Sequence, residues 1–140
     1  MVRKRILLAV DGSEHSNKVL DEAIEYAKLL DAEMVFVYCH EKYPEILGEP
    51  YRDREILRIN NATEELVRPF LQRLEDEKIT VGERLMEEPA GKKICEVAEI
   101  EKCDLIIMGS RGLSNLTSLI VGSVANSVLQ AAPCSVLVVR

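Results

Sequence analysis

Residues 105–123 read LIIMGSRGLSNLTSLIVGS and predict a buried strand, a loop containing glycine, and the start of a helix. Leu105 to Met108 form a short apolar run, typical of strands that are covered on both faces of a parallel sheet. Gly122 and Ser123 precede an apolar pattern with helical spacing, so we expect a helix to open there. Because a helix N-terminus offers backbone N–H groups and a positive dipole end, this stretch predicts an anion-binding turn after a buried strand.

The rest of the chain alternates in the same way between strand-like and helix-like patterns. Helical spacing of apolar residues predicts a helix between consecutive strands. The longest of these helices contains Pro69, where we expect a kink or a break. The resulting order βαβαβαβαβ predicts a single α/β domain over residues 1–140, with an open parallel five-stranded sheet and helices on both faces. The predicted strands are Ile6 to Val10, Met34 to Cys39, Ile79 to Met86, Leu105 to Met108 and Ser135 to Val139.

Two strand ends carry sequence that suits a ligand. Asp11-Gly12-Ser13 follows the first strand, and Gly109-Ser110-Arg111-Gly112 follows the fourth. Ligands of open parallel sheets bind beyond the carboxyl ends of the strands, where the strand order reverses. If the two strands are neighbours, their loops line one crevice, in which the glycines let the backbone approach a ligand closely. Two roles stay open for Asp11: contact with a ribose or a hydrated Mg²⁺, or capping of the first helix with Ser13.

Composition excludes several classes of protein. The net charge of −6 argues against general binding to nucleic acid, which needs a basic surface. No apolar run approaches the roughly 18 residues of a membrane span, so we expect a cytoplasmic protein without membrane contact. The four cysteines form no C-x-x-C pair, which disfavours zinc. Residues 105–140 contain two arginines and no carboxylate, a composition that suits either an anion site or buried core.

The glycine loop matches neither of two common phosphate-binding motifs. A P-loop requires G-x-x-x-x-G-K-[ST], but no lysine follows Asp104. The dinucleotide fingerprint G-x-G-x-x-G belongs after the first strand rather than after the fourth. A phosphorylated receiver domain needs an acidic cluster after its first strand, where this chain has only Asp11 and Glu14.

The pattern G-x-x-G-x₉-G-[ST] at Gly109, Gly112, Gly122 and Ser123 resembles the ATP-binding signature of the universal stress protein family. The resemblance extends over the whole chain, through ILLAVDGS at residues 6–13, CDLIIMGSRGLS at 103–114 and APCSVLVV at 132–139. It implies the strand order 3-2-1-4-5, with ATP at the switch point between strands one and four. The intact signature is similar to that of the ATP-binding branch of the family.

The resemblance also implies roles for individual residues. By position, Gly109, Gly112, Gly122 and Ser123 would hold the ribose and phosphates, and Asp11 would lie on the same side of the site. The backbone near Tyr38 would contact the adenine edge. ATP or another adenine nucleotide, accompanied by Mg²⁺ or Mn²⁺, is the implied cofactor. The implied partner is a second copy of the chain, paired through Ser135 to Val139, and an apolar edge strand also favours such pairing on physical grounds.

Three functions are consistent with these residues. The first is a nucleotide-sensing, regulatory module of the stress response. The second is a slow ATPase or phosphotransferase, which needs positioned cations and a residue that orients the nucleophile. The loop has one arginine, no lysine and no acid nearby except Asp11, so the sequence favours binding over catalysis. The third is a dimeric interaction module that needs no nucleotide.

Overall fold

Strands and helices alternate along the chain in the computed structural model, which describes residues 3–110 and 121–140. The alternation follows the predicted order, with boundaries that differ from the predicted ones by a few residues. The elements are β1 (Arg5–Val10), α1 (His15–Leu30), β2 (Glu33–His40), α2 (Tyr51–Asp76), β3 (Val81–Glu87), α3 (Ala90–Ile100), β4 (Leu105–Gly109), α4 (Ser123–Ala131) and β5 (Ser135–Val139).

The five strands form one parallel sheet in the order β3-β2-β1-β4-β5, which confirms the predicted topology. In the register of this sheet, Ile6 of β1 lies opposite Met34 of β2 on one side and Leu105 of β4 on the other. The chain moves outward from β1 through β2 to β3, and then returns to build β4 and β5 on the other side. The strand order therefore reverses between β1 and β4, where an open parallel sheet has its ligand crevice.

Helices cover both faces of the sheet, as predicted. Helices α1 and α2 pack on one face, where Val19 and Phe70 join Ile6 and Leu8 in the core. Helices α3 and α4 pack on the other face, where Val97 and Val128 join Leu7 and Ala9. Strand β1 is apolar at consecutive positions because both of its faces are buried.

Helix α2 runs without interruption through Pro69, so of the two predicted alternatives, a kink or a break, the break is wrong. Pro69 lies on the exposed side of the helix, while Val67, Phe70 and Leu74 hold the other side in the core. The carbonyl that Pro69 leaves without a partner belongs to Glu65, an exposed residue, and can bond to water. Burial of one side of the helix therefore outweighs the local cost of the proline.

Candidate functional site

A cavity of about 570 Å³ opens at the carboxyl ends of β1, β2 and β4; we call it the crevice. Its volume lies within the range of small-molecule sites, roughly 300–1,000 Å³. Helix α2 and the N-terminal parts of α1, α3 and α4 complete its described walls. The predicted site residues that line it are Asp11, Tyr38, Gly109, Gly122 and Ser123. Gly112, the remaining predicted residue, and Arg111 lie outside the described residues.

The Asp11 carboxylate shapes the turn between β1 and α1. Its Oδ1 accepts hydrogen bonds from the Ser13 backbone N–H and from the Ser16 hydroxyl, each 2.9 Å long. Gly12 makes the turn possible because its φ is +83°, a backbone conformation that residues with a side chain rarely adopt. An added Cβ there would also lie 2.6 Å from a methyl carbon of Leu66. Asp11 thus organises the start of α1, while its carboxylate also lines the crevice.

Ser13 does not cap helix α1, contrary to the prediction. The N-cap position belongs to Glu14, whose side chain makes no capping bond. The Ser13 hydroxyl instead lies buried beside the crevice without a hydrogen-bond partner among the described residues. Its backbone groups are satisfied, since the N–H bonds Asp11 and the carbonyl accepts from the Ser16 N–H. The side-chain oxygen is thus the one polar atom of Ser13 without a hydrogen-bond partner among the described residues.

Gly109 and Gly122 lie at the two described ends of the glycine-rich segment, and hydrogen bonds hold these ends together. The Gly122 N–H donates to the Ser110 carbonyl at 2.8 Å, and the Ser110 N–H donates to the Val139 carbonyl of β5 at 2.8 Å. Gly122 is the N-cap of α4 and has no side chain with which to cap the helix. The first residues of α4, Ser123 and Val124, line the crevice directly.

Strand β2 ends in the crevice with Tyr38, Cys39 and His40. Partial burial, together with the nearby carboxylates of Asp11 and Glu88, raises the pKa of the Tyr38 phenol above its usual value. Burial raises the pKa of the Cys39 thiol to about 11, so this thiol is a weak nucleophile at neutral pH. The His40 ring packs against Tyr43, with 4.9 Å between ring centroids.

Sequence reasoning missed two walls of the crevice. One belongs to the start of α3, and the larger belongs to α2, which contributes Ile59, Ala62, Thr63 and Leu66 at helical spacing. The spacing identifies a buried face of the helix, but it does not reveal whether that face meets the sheet or a cavity. His15, at the start of α1, was also missed, because a single histidine carries no motif.

The charges around the crevice are asymmetric among the described residues. Three carboxylates, those of Asp11, Glu41 and Glu88, belong to its lining, and no lysine or arginine of residues 3–110 or 121–140 does. Those same ranges contain no group of three or more side chains arranged to hold a metal ion. Any cation in the crevice would therefore rely on one or two carboxylates and on oxygens of the ligand itself. In the same ranges, no helix has the length and hydrophobicity needed to cross a membrane.

The fold and the crevice together define an open α/β domain of the class that takes its ligand at the switch point of a parallel sheet. The model of the universal stress protein family matches residues 3–140. A universal stress protein from Thermus aquaticus is 36% identical over 141 residues, which cover 98% of each chain. The chain belongs to the universal stress protein family.

Solved structures of the family share the fold. The universal stress protein UspA from Lactobacillus plantarum superposes with a TM-score of 0.83 at 22% identity, over 100% of both chains. A universal stress protein from Archaeoglobus fulgidus, solved in complex with dAMP, superposes with a TM-score of 0.63 at 21% identity, again over 100% of both chains. The arrangement of five strands and flanking helices is thus common to proteins whose sequences have diverged widely.

Proposed function

We propose that the protein binds ATP or another adenine nucleotide in the crevice and acts as a regulatory module of the stress response. One observation carries the proposal: five residues from four separate places in the chain, Asp11, Tyr38, Gly109, Gly122 and Ser123, line a single cavity of suitable volume. They lie after β1, in β2, at the end of β4 and at the start of α4. An adenine nucleotide needs several kinds of group in one site, because its base, its sugar and its phosphates are each bound by different chemical groups.

The proposed orientation follows from the chemistry of the two ends of the crevice. The phosphates lie at the N-terminus of α4, where backbone N–H groups, the helix dipole and the Ser123 hydroxyl favour negative charge. The base lies toward Tyr38, where β2 offers backbone hydrogen-bonding groups and the half-buried ring offers apolar contact. The ribose then lies near Asp11, whose carboxylate accepts hydrogen bonds from sugar hydroxyls. The complex of the Archaeoglobus fulgidus relative with dAMP supports an adenine nucleotide as the ligand class.

Mg²⁺ accompanies the nucleotide in this proposal. Mg²⁺ sites in nucleotide complexes commonly use one or two carboxylates, phosphate oxygens and water. Asp11 fits such a site through a bound water, as the alternative to its contact with the ribose, because its carboxylate lines the crevice while its Oδ1 is engaged in the β1–α1 turn. The cation would offset the repulsion between the phosphates and the carboxylates of the crevice.

Binding rather than rapid catalysis is the activity that the described residues favour. Phosphoryl transfer requires cations positioned on the transferred group, and the described lining of the crevice supplies none from lysine or arginine. Slow hydrolysis is the alternative activity, and product formation per mole of protein over several hours distinguishes it from binding alone.

The proposal includes a homodimer that pairs through β5 and a location in the cytoplasm. Strand β5 is an edge strand of the sheet, and the side chains of Val136, Leu137 and Val138 are half-buried rather than fully covered. An apolar edge strand favours pairing with another chain. The proposed nucleotide site and the β5 edge are close in the fold, because the Val139 carbonyl of β5 accepts a hydrogen bond from Ser110, which lines the crevice.

Calorimetric titration of nucleotide-stripped protein with Mg-ATP, Mg-ADP and AMP tests the proposal. We expect micromolar binding by the wild type, and loss of at least about tenfold in affinity in a Gly122→Val variant, equivalent to about 1.4 kcal/mol. Gly122 is buried at the start of α4, so a branched side chain there separates the ligand from the helix N-terminus.

Gly48→Val provides the matched control. Gly48 lies outside the crevice lining, and a Cβ added to it meets nothing within 4 Å. This variant should bind like the wild type, and circular dichroism should show all three proteins folded. If the folded wild type binds none of the three nucleotides, the proposed function is wrong and a nucleotide-independent interaction module becomes the better account.

A further inference from the structure

The imidazole of His15 lies where α1, β4 and β5 meet, and His15 is itself part of the lining of the crevice. Its Nε2 lies 2.8 Å from the carbonyl oxygen of Val139, the last residue of β5, so the ring donates an N–H to that oxygen. The same carbonyl accepts the Ser110 N–H, also at 2.8 Å. One oxygen at the end of the edge strand thus joins His15 to the residue that follows β4.

The position of the imidazole also explains why residue 109 is glycine. A Cβ added to Gly109 would lie 2.7 Å from Cδ2 of His15 and 3.2 Å from Cγ2 of Val19. The first distance is shorter than carbon atoms tolerate, so a side chain at 109 would displace the ring from Val139. Sequence reasoning attributed Gly109 to close approach of a ligand, whereas the atoms that crowd this position belong to α1.

A second hydrogen bond extends this arrangement to the helix that faces the ligand. The Ser110 carbonyl accepts the Gly122 N–H at 2.8 Å, and α4 begins at the next residue, Ser123. The N-terminus of α4 is therefore connected to His15 through Gly122, Ser110 and Val139. Displacement of any of these four residues would shift the others, because two bonds join backbone groups and the third joins the His15 ring to the backbone of Val139.

We propose that His15 is a positioning residue, which holds the N-terminus of α4 in the place where it receives the ligand, and that Gly109 is glycine in order to accommodate the His15 ring. The positioning role rests on the proposed function, because it concerns the same nucleotide. The steric role of Gly109 does not, because it concerns contacts within the protein alone. The two roles therefore call for two measurements.

The first measurement is a double-mutant cycle on thermal stability without ligand. Gly109→Ala should lower Tm by roughly 3 °C or more in the wild-type background. In a His15→Ala background the same substitution should cost clearly less, because only the milder contact with Val19 remains. An equal loss of Tm in both backgrounds would show that His15 does not impose glycine at 109.

The second measurement is the affinity for Mg-ATP and AMP by calorimetry. His15→Ala should weaken binding about fivefold to tenfold, as expected for the loss of one well-formed hydrogen bond. His15→Gln keeps an N–H donor on a side chain of similar reach and should recover most of the affinity. Lys18→Met is the matched control, because Lys18 bonds the Arg140 carbonyl one residue beyond Val139 but does not line the crevice.

The outcomes separate the two proposals. Wild-type binding that His15→Ala leaves unchanged, or that Lys18→Met weakens equally, would refute the positioning role while the proposed function stands. Absence of binding by the wild type would refute the proposed function and the positioning role together. Selective loss in His15→Ala, with recovery in His15→Gln, is the result we expect.

Discussion

The buried hydroxyl of Ser13 makes a prediction about stability at a single residue. Its oxygen lacks a hydrogen-bond partner among the described residues, and an unsatisfied buried hydroxyl costs about 1–3 kcal/mol. Ser13→Ala removes this cost and keeps the backbone N–H that bonds Asp11. We expect the free energy of unfolding, measured with urea, to stay unchanged or to rise.

Ser16→Ala is the comparison for this prediction. The Ser16 hydroxyl is buried like that of Ser13, but it donates to Asp11 Oδ1 at 2.9 Å and accepts the Asp11 N–H at 3.3 Å. Its loss leaves Asp11 with fewer partners and should lower the free energy of unfolding by about 1–2 kcal/mol. Equal destabilisation by both substitutions would mean that the Ser13 hydroxyl has a partner, such as an ordered water.

Residue-level roles were the part of this site that the sequence predicted least well. The sequence identified Asp11 and Ser13 as the polar residues of the first turn, yet the side chain that bonds the Asp11 carboxylate is that of Ser16, while Ser13 bonds it through its backbone N–H. It singled out Gly109 for close approach of a ligand, whereas the atoms that crowd this position belong to His15 and Val19. Such pairings depend on side-chain directions within a turn, or across elements distant in sequence, and a local pattern contains neither.

Pro69 makes a prediction at the level of the helix. It lies on the exposed side of a continuous α2, where it removes one backbone hydrogen bond. Pro69→Ala restores that N–H, and alanine has a high helix propensity. The unfolded chain gains some entropy when the proline is lost, which offsets part of this gain in stability. We expect a net increase of about 1–2 kcal/mol in the free energy of unfolding, measured with urea.

The adjacent Arg68→Ala substitution controls for effects of a changed exposed side chain. Arg68 is exposed on the same helix, so its loss should change the free energy of unfolding by no more than about 0.5 kcal/mol. If Pro69→Ala destabilises the protein, the helix geometry at that point must depend on the proline ring.

Elements were predicted more reliably than residues, for a physical reason. Strands β1, β2 and β4 are apolar at consecutive positions because both faces of the sheet are covered, and this signal is unambiguous. Strand β3 gave a weaker signal, since it is an edge strand of half-buried residues and one exposed glutamate, Glu83. The continuity of α2 through Pro69 was missed, because the packing that stabilises it is tertiary.

At the scale of the whole molecule, the strand order determines where the crevice forms. Local patterns supplied the alternation of strands and helices but not their arrangement, which came from the resemblance to the family. Once β1 and β4 are neighbours, the turn at Asp11 and the end of β4 at Gly109 and Ser110 necessarily border one space. The wall supplied by α2 could not be predicted in this way, because a helix crossing over a sheet can cover several strand ends.

The same strand order puts β5 at an edge, and we predict that it pairs with a second copy of the chain. Val138, half-buried on this strand, should then lie at the dimer interface, and Val138→Lys should produce monomers because it sets two lysines near each other in an apolar contact. Light scattering coupled to size-exclusion chromatography measures the change as a halving of the molar mass at micromolar concentration.

Leu29→Lys is the control for this experiment. Leu29 is 77% exposed at the end of α1, on an element separate from the β5 edge, so the charge it introduces should leave the dimer intact. If the wild type is already monomeric throughout the concentration range, β5 is not a pairing edge. If Leu29→Lys produces monomers and Val138→Lys does not, the interface lies on α1 instead. Loss of the dimer in Val138→Lys alone, with an unchanged circular dichroism spectrum, would support pairing through the strand whose last carbonyl also bonds His15 and Ser110.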